Sequence, residues 1–186
     1  TRWALLAGLL VSALLGAPAR GADEDPLARA ETLLNQDADQ AERLATQGLA
    51  DARHMRDAAR QAQALTLLGL IQMRRGQHAA ALTQLEAAVP LAEASGDVLR
   101  LGRALASLGI VFDLSGLRSE ALQVQQRALD LYLEHKDWAR ASALLINLGN
   151  TYDNQGDAAA ARRSYERALA MKREHGISRG VGSVLN

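Results

Sequence analysis

Along most of the chain the apolar residues fall at steps of three and four, the spacing that gathers side chains on one face of an α-helix. Leu145, Leu148, Gly149 and Tyr152 share such a face. Asn147, Asn150 and Asn154, at i, i+3 and i+7, share the opposite one, with Asp153 beside Asn150. The apolar pattern returns in two earlier stretches, around Leu65, Leu68 and Gly69 and around Leu105, Leu108 and Gly109. The expectation is a series of amphipathic helices. Two features set limits on it: each of these helices carries a glycine within its apolar face, and Trp3–Ala17 is uncharged and largely apolar throughout.

Aligning the helices uncovers an internal repeat. Segments starting at Ala62, Gly102 and Ser142 superpose without gaps at a period of 40. The Leu-Gly pairs lie at 68–69, 108–109 and 148–149, and Gly76, Gly116 and Gly156 keep the same spacing. So do Ala81, Ala121 and Ala161, then Ala88, Ala128 and Ala168, and finally Asp57, Asp97 and Asp137. The aspartates stand where a helix should begin, and aspartate is a strong N-cap. Helix A of each repeat then runs about 18 residues to the turn glycine, which supplies a left-handed C-terminal residue. Helix B follows, to about Ser95, His135 and His175, where Gly96 and Gly176 can end it likewise. A mid-helix glycine costs about 1 kcal/mol against alanine. That cost is offset if helix A approaches helix B closely there, and the two alanines of each helix B are the small residues expected to face it.

These columns resemble the tetratricopeptide repeat. The matches are Leu65, Leu68, Gly69, Gly76, Ala81 and Ala88; then Leu105, Leu108, Gly109, Phe112, Gly116, Ala121 and Ala128; then Leu145, Leu148, Gly149, Tyr152, Gly156, Ala161, Tyr165 and Ala168. The family's usual period is about 34 residues, so a period of 40 looks like its longer-helix branch, which includes kinesin light chains and bacterial regulatory proteins. The family's tryptophan is replaced by leucine and its late proline by Glu93, Leu133 and Arg173, and Gln72 stands where an aromatic is usual. The resemblance implies an all-α fold: a right-handed superhelical solenoid of antiparallel helix pairs. Repeats are expected at 57–96, 97–136 and 137–176, behind a degenerate N-terminal capping repeat at 26–56 that keeps Ala41 and Gly48 in the small columns. Residues 177–186 read as the start of a further repeat. Its Leu-Gly pair falls due near 188–189, past Asn186, so the chain is expected to be a fragment whose repeats continue.

Composition narrows the function classes. Of 186 residues 48% are hydrophobic and 23% charged, which excludes compositional disorder, and aromatics are only 3%, low for a large sheet. Lys+Arg and Asp+Glu are both 21, so no basic excess points to nucleic acid. Without cysteine there is no disulfide, thiolate metal site or cysteine nucleophile. Arg2, the apolar stretch Trp3–Ala17 and the small-x-small site Ala17-Pro18-Ala19 together read as a secretory signal peptide over residues 1–19. Fifteen residues make roughly 22 Å of helix, short of a hydrocarbon core of about 30 Å; an uncleaved anchor and a buried helix are the alternatives. The chain starts at Thr1, so it is expected to begin one or more residues late. Residues 20–25 read as a disordered acidic lead-in, and the mature chain as exported to the periplasm or cell envelope of a bacterium.

Candidate chemistry is sparse. In tetratricopeptide solenoids helix A lines the concave surface, so the resemblance makes the stripe Asn147, Asn150 and Asn154, with Asp153, a candidate peptide groove. Asparagine amides can pair with an extended backbone as donor and acceptor together. The competing reading is a solvated polar face. Equivalent positions are Leu67, Leu70 and Arg74, then Ser107, Ile110 and Leu114. The face therefore shifts from apolar to polar, which suits an amphipathic peptide whose charges meet Arg74 and Arg103, while Leu70 and Ile110 supply apolar contact; the alternative is that the leucines pack between repeats. His54, His78, His135 and His175 stand singly near helix ends, with no metal-ligand spacing. No nucleophile elbow or phosphate-binding glycine loop is present, so this segment is expected to be neither enzyme nor cofactor carrier. Pro90 lies inside a helix B and should kink it; Trp138 reads as a packing residue between repeats. The expected function is an exported scaffold that binds protein or peptide. The alternative is the periplasmic sensor part of a membrane-bound diguanylate cyclase or histidine kinase whose enzyme lies beyond Asn186. A structural assembly factor of the cell envelope is a third reading.

Overall fold

The computed structural model describes residues 25–177; the leader, all but Asp25 of the acidic lead-in, and residues 178–186 lie outside them. Among the described residues there are eight α-helices and no strand: α1 Pro26–Leu33, α2 Ala38–His54, α3 Ala58–Arg74, α4 His78–Ser95, α5 Val98–Leu114, α6 Arg118–Glu134, α7 Trp138–Gln155 and α8 Ala158–Glu174. Odd-numbered helices are the A helices and even-numbered ones the B helices.

The periodic aspartates start the A helices. Asp57, Asp97 and Asp137 each accept a hydrogen bond of 3.0 Å from the backbone N–H three residues on, at Arg60, Arg100 and Arg140. This satisfies one of the orphan donors of the first turn. The arginines are a column in their own right. Arg100 and Arg140 turn their guanidinium groups back onto Asp97 and Asp137, whereas Arg60 reaches Asp25 at 2.5 Å. Asp25, at the end of the acidic lead-in, is itself the cap of α1. At the A-to-B turns Gly76, Gly116 and Gly156 adopt φ of +72°, +79° and +88°. The B-to-A turns need the same left-handed residue, supplied by Gly96 and Gly176 but also by Arg56 (φ +55°) and Lys136 (φ +56°).

Each A helix packs antiparallel on its own B helix, and each B helix on the next A helix. Successive A helices also touch, α1 on α3, α3 on α5 and α5 on α7, while no B helix touches another. Crowding on the A side and splaying on the B side bends the array, so the A helices line its inner face. This is the all-α solenoid of helix pairs that the repeat predicts.

The mid-helix glycines do allow close approach, but the residue they meet is not alanine. A methyl group added at Gly69 would lie 2.6 Å from the Leu85 side chain, and one at Gly109 or Gly149 would overlap Gln125 or Tyr165. Leu85, Gln125 and Tyr165 form a column at the same period of 40, between the two alanine columns. Their side chains lie across the glycine, and the alanines one turn away on either side, all buried, let the helices close around that contact. In the first helix pair the arrangement is reversed: Gly48 of α2 receives Leu27 of α1.

Pro90 leaves α4 a single helix from His78 to Ser95. Pro90 and Glu86, whose carbonyl loses its partner, are both exposed, so water can satisfy what the ring removes.

Candidate binding site on the inner face

The inner face is built from one stripe on each A helix: Gln63, Leu67, Leu70 and Arg74 on α3; Arg103, Ser107, Ile110 and Leu114 on α5; Ala143, Asn147, Asn150 and Asn154 on α7. On α3 the stripe is used by the fold. Leu67 is fully buried, and Leu70 packs with Leu33 and Leu34 at the end of α1. The Arg74 guanidinium donates to the Leu34 carbonyl at 2.5 Å, closing the C-terminus of α1. Arg103 is likewise engaged, 2.5 Å from a Glu31 carboxylate oxygen. Each arginine thus already holds a partner within the fold through one guanidinium nitrogen. Arg74 closes a helix end, and Arg103 ties α5 to α1.

The α5–α7 stripe is different. α7 touches α5 along less of its length than α5 touches α3, and a cavity of ≈ 390 Å³ opens between them. It brings together Ile110, Asn147, Asn150, Asp153 and Asn154, and adds Asp113, Leu114, Gln125 and Thr151. Asn154 donates through Nδ2 to Asp113 Oδ2 at 2.8 Å, while Asp113 Oδ1 is buried with no partner among the described residues. Thr151 lies 3.2 Å from the Gln125 carbonyl oxygen, and Gln125 is 1% exposed. The Tyr165 hydroxyl donates to Asn150 Oδ1 at 2.8 Å. Asn150 thus does not face away from helix B: the tyrosine that crosses Gly149 reaches over to it. Amides and carboxylates dominate the lining, and no basic side chain takes part.

A second cavity, of ≈ 270 Å³, lies nearer the N-termini of the A helices, lined by Glu31, Gln63, Thr66, Asp97, Leu99, Arg100, Arg103 and Arg140. A polar relay crosses three A helices here. Gln63 donates to Glu31 at 3.1 Å and accepts from Arg100 at 3.3 Å, and Arg103 closes on the same Glu31 oxygen. The backbone N–H of Arg100, aided by its guanidinium, holds the Asp97 carboxyl below its usual range. The hydrogen bond that the Arg140 guanidinium donates to Asp137 raises Arg140 further. Behind this cavity Tyr132, 3% exposed, lies across Gly102, and burial pushes its phenol up to about 12.

The remaining single residues sort simply. His54 ends α2, His78 begins α4, and His135 and His175 cap α6 and α8. Among the described residues no group of His, Asp or Glu is placed to hold a metal ion. Trp138 stacks on His175 with ring centroids 4.4 Å apart and planes within 3°, which joins the start of α7 to the end of α8. No helix among the described residues is long and apolar enough to cross a membrane.

Two family models, both described as tetratricopeptide repeat, match residues 60–134 and 142–176, together more than half of the chain. No curated protein matches the sequence. Among solved structures the chain is similar to aspartyl phosphate phosphatase F from Bacillus subtilis, at 16% identity and a TM-score of 0.73, covering 82% of this chain and 40% of that one. It is similar to a Rap protein complexed with Competence and Sporulation Factor, at 20% identity and a TM-score of 0.73, covering 83% and 45%. It is also similar to MamA, at 18% identity and a TM-score of 0.59, covering 81% and 78%. At these identities the likeness is one of fold, and the chain spans less than half the length of the first two.

Proposed function

We propose that this chain, a member of the tetratricopeptide repeat family, is a binding module that takes an extended protein segment on its inner face, between α5 and α7. The observation that carries this reading is the gathering of Asn147, Asn150, Asn154, Asp153 and Ile110 into one cavity. A strand-like backbone lacks partners for its N–H and C=O groups, and an amide side chain offers both a donor and an acceptor. Ile110 and Leu114 add apolar surface, and Leu114 is 53% exposed. A structure with the same fold is that of a Rap protein complexed with Competence and Sporulation Factor. The leader-like residues 1–19 favour an exported site of action, which fractionation of the producing cell tests directly. Peptides selected from a random display library on the immobilised protein provide the probe for the groove. Asn147→Ala with Asn154→Ala should weaken a selected peptide at least tenfold, while the loss of the Asn154 bond to Asp113 costs only about 0.5–1.5 kcal/mol in urea unfolding and leaves the array folded. Undiminished affinity would remove the groove from the proposal.

A further inference from the structure

The two cavities of the inner face differ in charge, and the A helices set them at opposite ends of one groove. Near the helix N-termini, Arg100, Arg103 and Arg140 are balanced by Asp97, Glu31 and the Asp137 that holds Arg140. Near the C-termini, Asp113 and Asp153 stand among amides with no cation in the lining. Arg103 and Asp113 belong to the same helix, ten residues apart in sequence, or roughly 15 Å at 1.5 Å per residue.

Three observations point to a ligand with charge at both ends. The Asp113 Oδ1 atom is buried and unpartnered although its sister oxygen is held by Asn154, and a buried carboxylate oxygen without a donor is costly. A cation entering the cavity would satisfy it. At the other end each guanidinium has five N–H donors, and Arg103, engaged at Nη1 by Glu31, keeps others toward the cavity it lines. Finally, the A helices run parallel to one another, so their dipoles reinforce the same polarity, positive at the arginine end and negative at the aspartate end.

Resting on the groove reading above, we infer that the inner face selects a bipolar extended peptide: an acidic side chain at the Arg100–Arg103–Arg140 end and a basic one at the Asp113–Asp153 end. An extended chain advances about 3.3 Å per residue, so the two charges stand four or five residues apart. Ile110 lies between the ends and takes an intervening apolar side chain.

The test is display selection of random twelve-residue peptides on the intact protein, repeated on Asp153→Lys and on the Asn147→Ala, Asn154→Ala double variant. Asp153 is exposed, so its replacement leaves the packing of the helices intact. The expected result is enrichment of an acidic and a basic residue four or five apart. On Asp153→Lys the basic preference should fall about three- to fivefold, the scale of an exposed ion pair, with the acidic preference unmoved. Peptides that depend on the asparagines yet show no paired charges, or charges of one sign only, would overturn the bipolar inference and leave the groove standing. Peptides indifferent to the asparagines would overturn the groove itself.

Discussion

At Gly149 the helix gives up the propensity of alanine so that the ring of Tyr165 can lie across its backbone and reach Asn150. Gly149→Ala gains about 1 kcal/mol of helix propensity but forces a methyl group into that ring, and overpacking of this kind costs about 1–3 kcal/mol. The net expectation is a loss of about 1 kcal/mol in urea unfolding, together with a Tyr165 that no longer holds Asn150. Gly102 plays the same part for Tyr132, whose neutral phenol is the buried form. Its folded value of about 12 lies above the ordinary 10, so the unfolded state releases the proton first as pH rises. The associated stability is complete below pH 10 and is lost between about pH 10 and 12. The wild type should therefore lose about 2 kcal/mol relative to Tyr132→Phe across that window, read from urea midpoints at pH 9 and pH 11.5. A parallel loss in both proteins would assign the effect to other groups. The glycine column was legible as a run of identical residues. Of the column that faces it, Tyr165 was legible as a family match but Leu85 and Gln125 were not, because the column shares a position and a packing role but no chemistry, and a search for recurring residues passes over it.

The helices and their ends were the most legible level, since each boundary is written in a residue with a local mechanical reason. Asp57, Asp97 and Asp137 cap, Gly76, Gly116 and Gly156 turn, and neither needs anything from the rest of the chain. The B-to-A turns show the rule from its exception. Lys136 sits at φ +56° where Gly96 and Gly176 occupy the equivalent turns. A side chain in the left-handed region costs about 1–2 kcal/mol, part of which glycine forfeits through the freedom of its unfolded chain. Lys136→Gly should consequently stabilise the protein by about 0.5–1 kcal/mol, and Lys136→Ala should not; equal midpoints for the two variants would assign the turn's cost elsewhere. Periodicity also placed the asparagine stripe, but could not supply what faces it. Asp113 and Gln125 come from α5 and α6, 41 and 26 residues from the groups they meet. A plot of one helix contains no information about its neighbour, and the same limit hid the carbonyl and carboxylate that occupy Arg74 and Arg103.

Across the described residues, each helix touches only its neighbours in the chain, and each A helix touches the adjacent A helices as well. Stability in such an array is a sum of repeat and interface contributions, and damage should stay near where it is made. Leu27 offers a sharp case: it is fully buried and its side chain lies on Gly48. Leu27→Ala removes that contact, at a typical cost of about 2–5 kcal/mol. Hydrogen exchange should then accelerate in α1 and α2, and to a lesser degree in α3, which α1 also touches, while α7 and α8 keep their protection. The groove between α5 and α7 should keep its affinity for a selected peptide, because nothing in its lining comes from α1 or α2. The arginine end should not be so insulated, since Glu31 of α1 holds Arg103 through the relay across α3. In Leu27→Ala the preference for an acidic residue should therefore weaken while the preference for a basic one persists. Uniform loss of protection through α8 would mean that the described helices unfold as one unit, and that local reasoning about the groove must be replaced by reasoning about the whole array.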